Sequence, residues 1–279
     1  MYWRGKERAA RALATATNPA PALPGIPGAV LEHGTPITVY LPPDHATFEA
    51  LAPEAPDWSG AITFPDRDRI VLPIVASSPD QPPLRTILVH ELAHVALRRY
   101  LGPGVPRWFH EGYAQLASGS WSGSQAWELR FAILAGRIPS LDSVDLDFSR
   151  QRVSAEHAYL LAYTAVDEMY RMGGPGGFEY LLERWHDGGD LDRAVRETYG
   201  ITLHRFERVW RDHVRERYGW LLMLTQVTAF WAVLTAVLLI LGYWKIRRNR
   251  RKLAELKARE ISGPPAATAG PGGDGEDVD

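Results

Sequence analysis

Residues 84–101 read LRTILVHELAHVALRRYL, with His90-Glu91-Leu92-Ala93-His94 at the centre. On an α-helix, positions i and i+4 lie one turn apart on the same face, so both imidazoles reach a single metal ion. Glu91 projects beside them, where its carboxylate can take a proton from a water held by that ion. Pro82-Pro83 suits a helix start, no Gly or Pro interrupts 84–101, and Gly102-Pro103-Gly104 stops the run. Ile87, Leu88, Val89, Leu92, Ala93, Val95, Ala96 and Leu97 make the helix apolar almost all round, which predicts burial inside a domain. Two histidines and a glutamate are costly there unless bonded or ligated, and a metal supplies that compensation.

A catalytic zinc takes three protein ligands and keeps a fourth position for water. An HExxHxxGxxH pattern is excluded, because Leu97 and Tyr100 stand where its Gly and third His would be. The next source is Trp108-Phe109-His110-Glu111-Gly112-Tyr113-Ala114, after the 102–106 turn. Val105-Pro106 opens a second helix, and an antiparallel return brings Glu111 back toward His94. Gly112 and Ala114 are small enough to let these two helices approach closely. His110 competes with Glu111 as third ligand. Helix neighbours point about 100° apart, so the two cannot easily both face the metal; geometry favours Glu111 and leaves His110 open.

HELAH followed by WFHEGYA resembles the gluzincin metallopeptidases, the bacterial peptidase MA-like domains in particular, over roughly residues 35–200. The resemblance implies hydrolysis of peptide bonds in a peptide or protein substrate. It implies that His90, His94 and Glu111 hold one Zn2+ per chain. Glu91 is then the general base that later returns its proton to the leaving amine, with zinc bringing the pKa of its water to about 7. The shorter gap between His94 and Glu111 than in thermolysin-like members implies a tight connecting loop. For the oxyanion donor the resemblance best matches Tyr159, with Tyr163 one turn on and His157 as alternatives. It also implies an edge strand just ahead of the zinc helix that pairs with the substrate backbone, and residues 69–75 are expected to supply it. The alternative is a catalytically inactive zincin-like domain serving as a membrane-tethered binding module, against which the retained Glu91 argues. An intramembrane protease is excluded, since Arg85, Arg98 and Arg99 leave the 84–101 helix too short and too charged to span.

Residues 36–41, 62–64 and 69–74 read as short strands, the last two flanking the turn-rich Pro65-Asp66-Arg67-Asp68. Helices are expected over 130–135, 154–172, 178–185, 191–199 and 203–218, punctuated by Gly173–Gly177 and Gly188-Gly189. The expected fold class is α+β: a small N-terminal β-sheet, a helical zincin-type metallopeptidase domain, then one transmembrane helix. The expected domains are a flexible segment over 1–30, the peptidase domain over 31–218, a transmembrane helix over 219–244, a basic juxtamembrane segment over 245–260 and a disordered tail over 261–279.

The chain has 279 residues, a formal net charge of −2 and no cysteine. The charge gives no signal for nucleic acid, and the missing thiols leave His and carboxylates as the metal ligands. Residues 221–241 carry no charge and match the thickness of a bilayer's hydrocarbon core, with Trp220, Trp231, Tyr243 and Trp244 as interfacial aromatics. A lipid bilayer is therefore expected as a partner, crossed once. Lys245 to Lys252 is strongly basic, which places the tail in the cytoplasm and the peptidase domain outside it, at the cell membrane. Residues 1–30 lack the apolar core of a signal peptide, which stands against that orientation.

Overall fold

Helix α1 (Glu7–Ala16) and a single turn α2 (Ala29–Glu32) lead into three short strands: β1 (Thr38–Tyr40), β2 (Ile62–Phe64) and β3 (Arg69–Val71). Helix α3 (His45–Leu51) lies between β1 and β2, capped by Asp44, which accepts from the Thr47 amide. The helical part follows: α4 (Leu84–Leu101), α5 (Arg107–Ser118), α6 (Leu141–Asp147), α7 (Arg152–Gly188), α8 (Leu191–Tyr199) and α9 (Leu203–Tyr218). Helix α7 is interrupted at Gly174 (φ 62°) ahead of Pro175, so it runs as two helices, as its glycine cluster predicts. This computed structural model describes residues 1–53, 61–72, 82–121, 125, 128–130, 133, 138–148 and 152–261, and divides into the units Met1–Leu221 and Leu222–Asp279. The helix expected over 130–135 and the tail expected over 261–279 lie largely outside the described residues.

Alternation along β3 explains the layering. Ile70 joins Leu13, Leu41, Leu72, Leu88, Leu92 and Val95 between the sheet and α4, while Val71 points the other way onto Phe48 and Ala52 of the α3 side. Helix α4 then turns Val89, Ala93, Ala96 and Leu97 onto α5 and α7, among Phe109, Tyr113, Ala162, Val166 and Phe178. It is apolar all round because it fills the layer between sheet and helices.

Strand order is β1-β3-β2, with β1 parallel and β2 antiparallel to β3. Two expectations need correction. Arg69–Val71 is the central strand, hydrogen-bonded on both sides, so it cannot accept a peptide; residues 73–75 lie outside the described residues. Among the described residues the open edge is β2, because the outer side of β1 is covered by Met1 and Tyr2, with Leu41 N–H donating to the Met1 carbonyl at 3.0 Å. Nor are residues 1–30 a flexible lead-in: α1 buries Leu13 against the sheet, and Leu23 and Ile26 join the main helical core.

The turn between β2 and β3 is fastened to α4. Arg98 pairs with Asp66, and Arg99 pairs with Asp68 at 2.9 Å and donates to the Val30 carbonyl at 3.1 Å. Asp68 holds φ 45°, an uncommon value that these partners stabilise. The two arginines fix the strand edge relative to the helix that carries the histidines.

By itself, α10 (Trp220–Ile261) is one continuous helix of 42 residues, with no break where the basic segment begins. Among the described residues, Phe230–Leu253 is long and apolar enough to cross a membrane, with mean hydropathy 1.5.

Candidate metal centre

His90 and His94 occupy successive turns of α4, and their Nε2 atoms are 3.3 Å apart. Helix α4 stops at Gly102, whose φ of 76° lets the chain turn, and α5 starts five residues later. Glu111, one turn into α5, brings Oε2 to 3.7 Å from His90 Nε2 and 3.6 Å from His94 Nε2. A tetrahedral ion with bonds of about 2.1 Å sets its ligand atoms roughly 3.4 Å apart. The two imidazoles and the carboxylate therefore fit a divalent ion such as zinc, and they are the described His, Cys, Asp or Glu group that meets this spacing. His110 lies beside the trio, its ring centroid 5.7 Å from that of His94, but outside the triangle.

Electrostatics favour the same use. Burial drives the His94 imidazole down to about 3, so its nitrogen stays free. Burial alone would raise Glu111, but His94, His90 and Arg107 outweigh it and hold the carboxyl at about 2. Burial would likewise lower His90, yet the Glu111 hydrogen bond and the charges of Glu91 and Glu111 raise it above its usual 6.5. Without a cation, His90 is thus the trio's proton carrier.

Glu91, next to His90 on α4, is buried and lines the same cleft as Glu111. Burial pushes its pKa up, which brings a carboxylate closer to the neutral range where a proton acceptor works best. Thr63 of β2 donates to Glu91 Oε2 at 2.5 Å. The open strand edge and the candidate base are therefore joined by one hydrogen bond.

These groups share a cleft of about 350 Å3, lined from the sheet by Ala61, Ile62, Thr63 and Pro65, and from the helices by His90, Glu91, His94, Arg107, Glu111 and Tyr159. Tyr159 enters from α7, with its ring edge-on to Phe148 at 5.0 Å and its carbonyl accepting from Gln115 at 2.9 Å. Burial, and then the charge of Glu111, raise its phenol far above the ordinary value, so the hydroxyl remains a donor. The alternatives lie elsewhere: Tyr163 stacks on Trp121 at 4.3 Å, and His157 is exposed on the surface.

Helix packing differs from expectation at one point. The missing Cβ of Gly112 faces the Ala162 carbonyl of α7, so this glycine lets α7 approach closely. Sequence reasoning also missed Thr63, Arg107 and Asp145. Asp145 accepts from the Trp108 amide at 2.8 Å, capping the N-terminus of α5 from a different helix and fixing where the Glu111 turn begins. Only Arg107 left a readable signal, four residues ahead of Glu111 on the same helix face.

No curated protein matches the chain. A family model described as the Peptidase MA superfamily does match, over residues 22–216. That span takes in all three strands and every helix that lends a side chain to the cleft, and the chain belongs to the Peptidase MA superfamily.

Proposed function

We propose that this protein is a membrane-anchored zinc metallopeptidase that hydrolyses peptide bonds in the cleft between β2 and helices α4, α5 and α7. The observation that carries the reading is the convergence of two imidazoles and a carboxylate, at 3.3 to 3.7 Å, beside an independently buried Glu91. His90, His94 and Glu111 would hold the ion. When bound, zinc supplies Lewis acidity to a carbonyl and acidity to a water. Glu91 takes the proton from the attacking water and delivers it to the leaving amine, oriented meanwhile by Thr63. Tyr159 donates its hydroxyl proton in a hydrogen bond to the oxygen on which negative charge develops. The substrate backbone adds to the open edge of β2, and its side chains then alternate toward and away from the cleft.

The domain assignment follows: a peptidase domain that runs to residue 218 and takes in the packed N-terminal segment, a membrane span over 219–244 and a basic segment over 245–260 that faces the cytoplasm. Phe230, Trp231, Val233, Leu238, Leu239 and Leu241 are all exposed, which suits side chains that meet lipid. With the arginine-rich run behind it, α10 orients the peptidase domain outward. Protease digestion of intact against lysed cells checks this: an outward domain is cut in both, an inward one only after lysis.

The catalytic reading is tested with the full-length chain in detergent. Metal analysis is expected to find one zinc per chain. Glu91→Gln is expected to keep that zinc and lose about 10²- to 10⁴-fold in peptide cleavage, the usual contribution of a positioned proton carrier. If the wild-type chain binds zinc and cleaves nothing across a broad peptide library, the binding-module alternative replaces this one.

A further inference from the structure

We infer that Arg107 forms a carboxylate-recognising subsite beside the three candidate ligands, so that the favoured peptides carry a negative charge next to the scissile bond. The charge is either an Asp or Glu side chain or the peptide's own C-terminal carboxylate. The inference rests on the peptidase reading above and deepens it by naming a substrate class.

Arg107 is the first residue of α5, one turn before Glu111. Its Nε lies 4.0 Å from Glu111 Oε1, while the other oxygen of that carboxylate faces the two imidazoles. The guanidinium is therefore one carboxylate's width from the candidate ligands. Phe148 lies against it, with Cζ 5.0 Å from the ring centroid, and Tyr159 lines the same cleft. Held at these points, the side chain still keeps 42% of its surface exposed and lines the cleft.

Arg99 shows what a structural arginine does in this protein. It is 14% exposed and gives its donors to Asp68, the Val30 carbonyl and both oxygens of Thr35. Among the described residues, Arg107 has one carboxylate partner within 4.0 Å, and that carboxylate is the one turned toward the histidines. A divalent ion and Arg107 together bring three positive charges against Glu91 and Glu111. The cleft is left positive, with the planar, forked donors of Arg107 facing it; a carboxylate matches that fork in two parallel hydrogen bonds.

The test uses three peptides of one core sequence: neutral with an amidated C-terminus, neutral with a free C-terminus at the residue after the scissile bond, and amidated with one Glu flanking that bond. kcat/KM is measured for the zinc-loaded full chain, Arg107→Gln and Arg107→Lys. Affinity for the same peptides is measured by fluorescence anisotropy with Glu91→Gln and the Glu91→Gln/Arg107→Gln double variant, which gives a readout independent of turnover. At least one carboxylate-bearing peptide is expected to exceed the neutral one by about tenfold or more, in the range of a charge-assisted hydrogen bond. That ratio is expected to fall toward unity in Arg107→Gln and to survive in part in Arg107→Lys. A preference for the free C-terminus identifies the chain end as the ligand, and a preference for the Glu peptide identifies a side chain. Ratios are taken within one preparation, so a partly misfolded variant does not imitate the result. Equal handling of all three peptides by wild type, or a preference that persists in Arg107→Gln, overturns the subsite while peptide cleavage stands. A wild-type chain that neither binds nor cleaves any of the three overturns the peptidase reading, and the subsite with it.

Discussion

Replacing Gly112 by alanine sets two effects of opposite sign against each other. Inside α5, alanine is the better helix former by about 1 kcal/mol. A Cβ at this position would lie 2.3 Å from the Ala162 carbonyl oxygen, 2.7 Å from its carbon and 2.7 Å from Val166 Cγ2. The first two are backbone atoms of α7, so no rotamer change relieves them, and α5 and α7 must part by roughly 1 Å to regain ordinary carbon contact distances. Overpacking of a fitted interface costs about 1–3 kcal/mol, and contact with rigid backbone belongs at the upper end. The clash therefore wins, leaving a net loss of about 1–2 kcal/mol, or several degrees in Tm for a domain of this size. The displacement falls on the cleft, since Glu111 adjoins Gly112 on one helix and Tyr159 lies a turn before Ala162 on the other. A misplacement of about 1 Å there is worth about a hundredfold in rate. Thermal melts followed by circular dichroism, and peptide cleavage at saturating zinc, measure the two consequences separately. A Gly112→Ala chain that melts with or above wild type and cleaves at the same rate refutes the close approach of α5 to α7.

Thr63→Val removes the donor to Glu91 Oε2; kcat is expected to fall about tenfold with little change in KM, the scale of one hydrogen bond to a charged group. Thr63→Ser should restore most of it, and a valine variant with full kcat would show that Glu91 needs no such partner. Tyr159→Phe is expected to lower kcat about 10²- to 10³-fold, whereas Tyr163→Phe, whose ring stacks on Trp121, should stay near wild type; equal losses would reject the assignment to Tyr159. Metal affinity should weaken toward acid. His90 has its pKa raised above the usual 6.5, so a proton competes with the ion from a higher pH than at an ordinary histidine. Affinity is then full above that raised value and falls by about tenfold per pH unit below it. Competition against a chromogenic chelator checks the sign, and affinity that stays flat as pH drops well below neutrality contradicts it.

The approach of Glu111 to His90 and His94 was readable because it is local. Two positions one turn apart share a helix face, and a short glycine-proline loop returns the next helix antiparallel. Tyr159 was reached only through the family resemblance, since nothing in its own neighbourhood separates it from Tyr163. The sheet order was missed because it depends on the parallel pairing of β1 with β3, which no local pattern encodes. One signal was present: Ile70 and Val71 are apolar on both faces, the mark of an inner strand, while Thr63 gives β2 a polar position. The N-terminal stretch misled through its alanines and prolines. Three dispersed side chains, Leu13, Leu23 and Ile26, are what anchor it, too far apart to form a periodic pattern.

Because the chain has no cysteine, it has no disulfide to restrain its unfolded state. An ion held by α4 and α5 would take that part as a cross-link, tying His94 to Glu111 across the intervening loop. In the chain-entropy picture, closing a loop of roughly 15 residues is worth about 3 kcal/mol. The same nearness in sequence lets the denatured chain retain some hold on the ion, and any such hold subtracts from the stabilisation. Chelation should then lower the melting temperature by less than the native affinity alone implies.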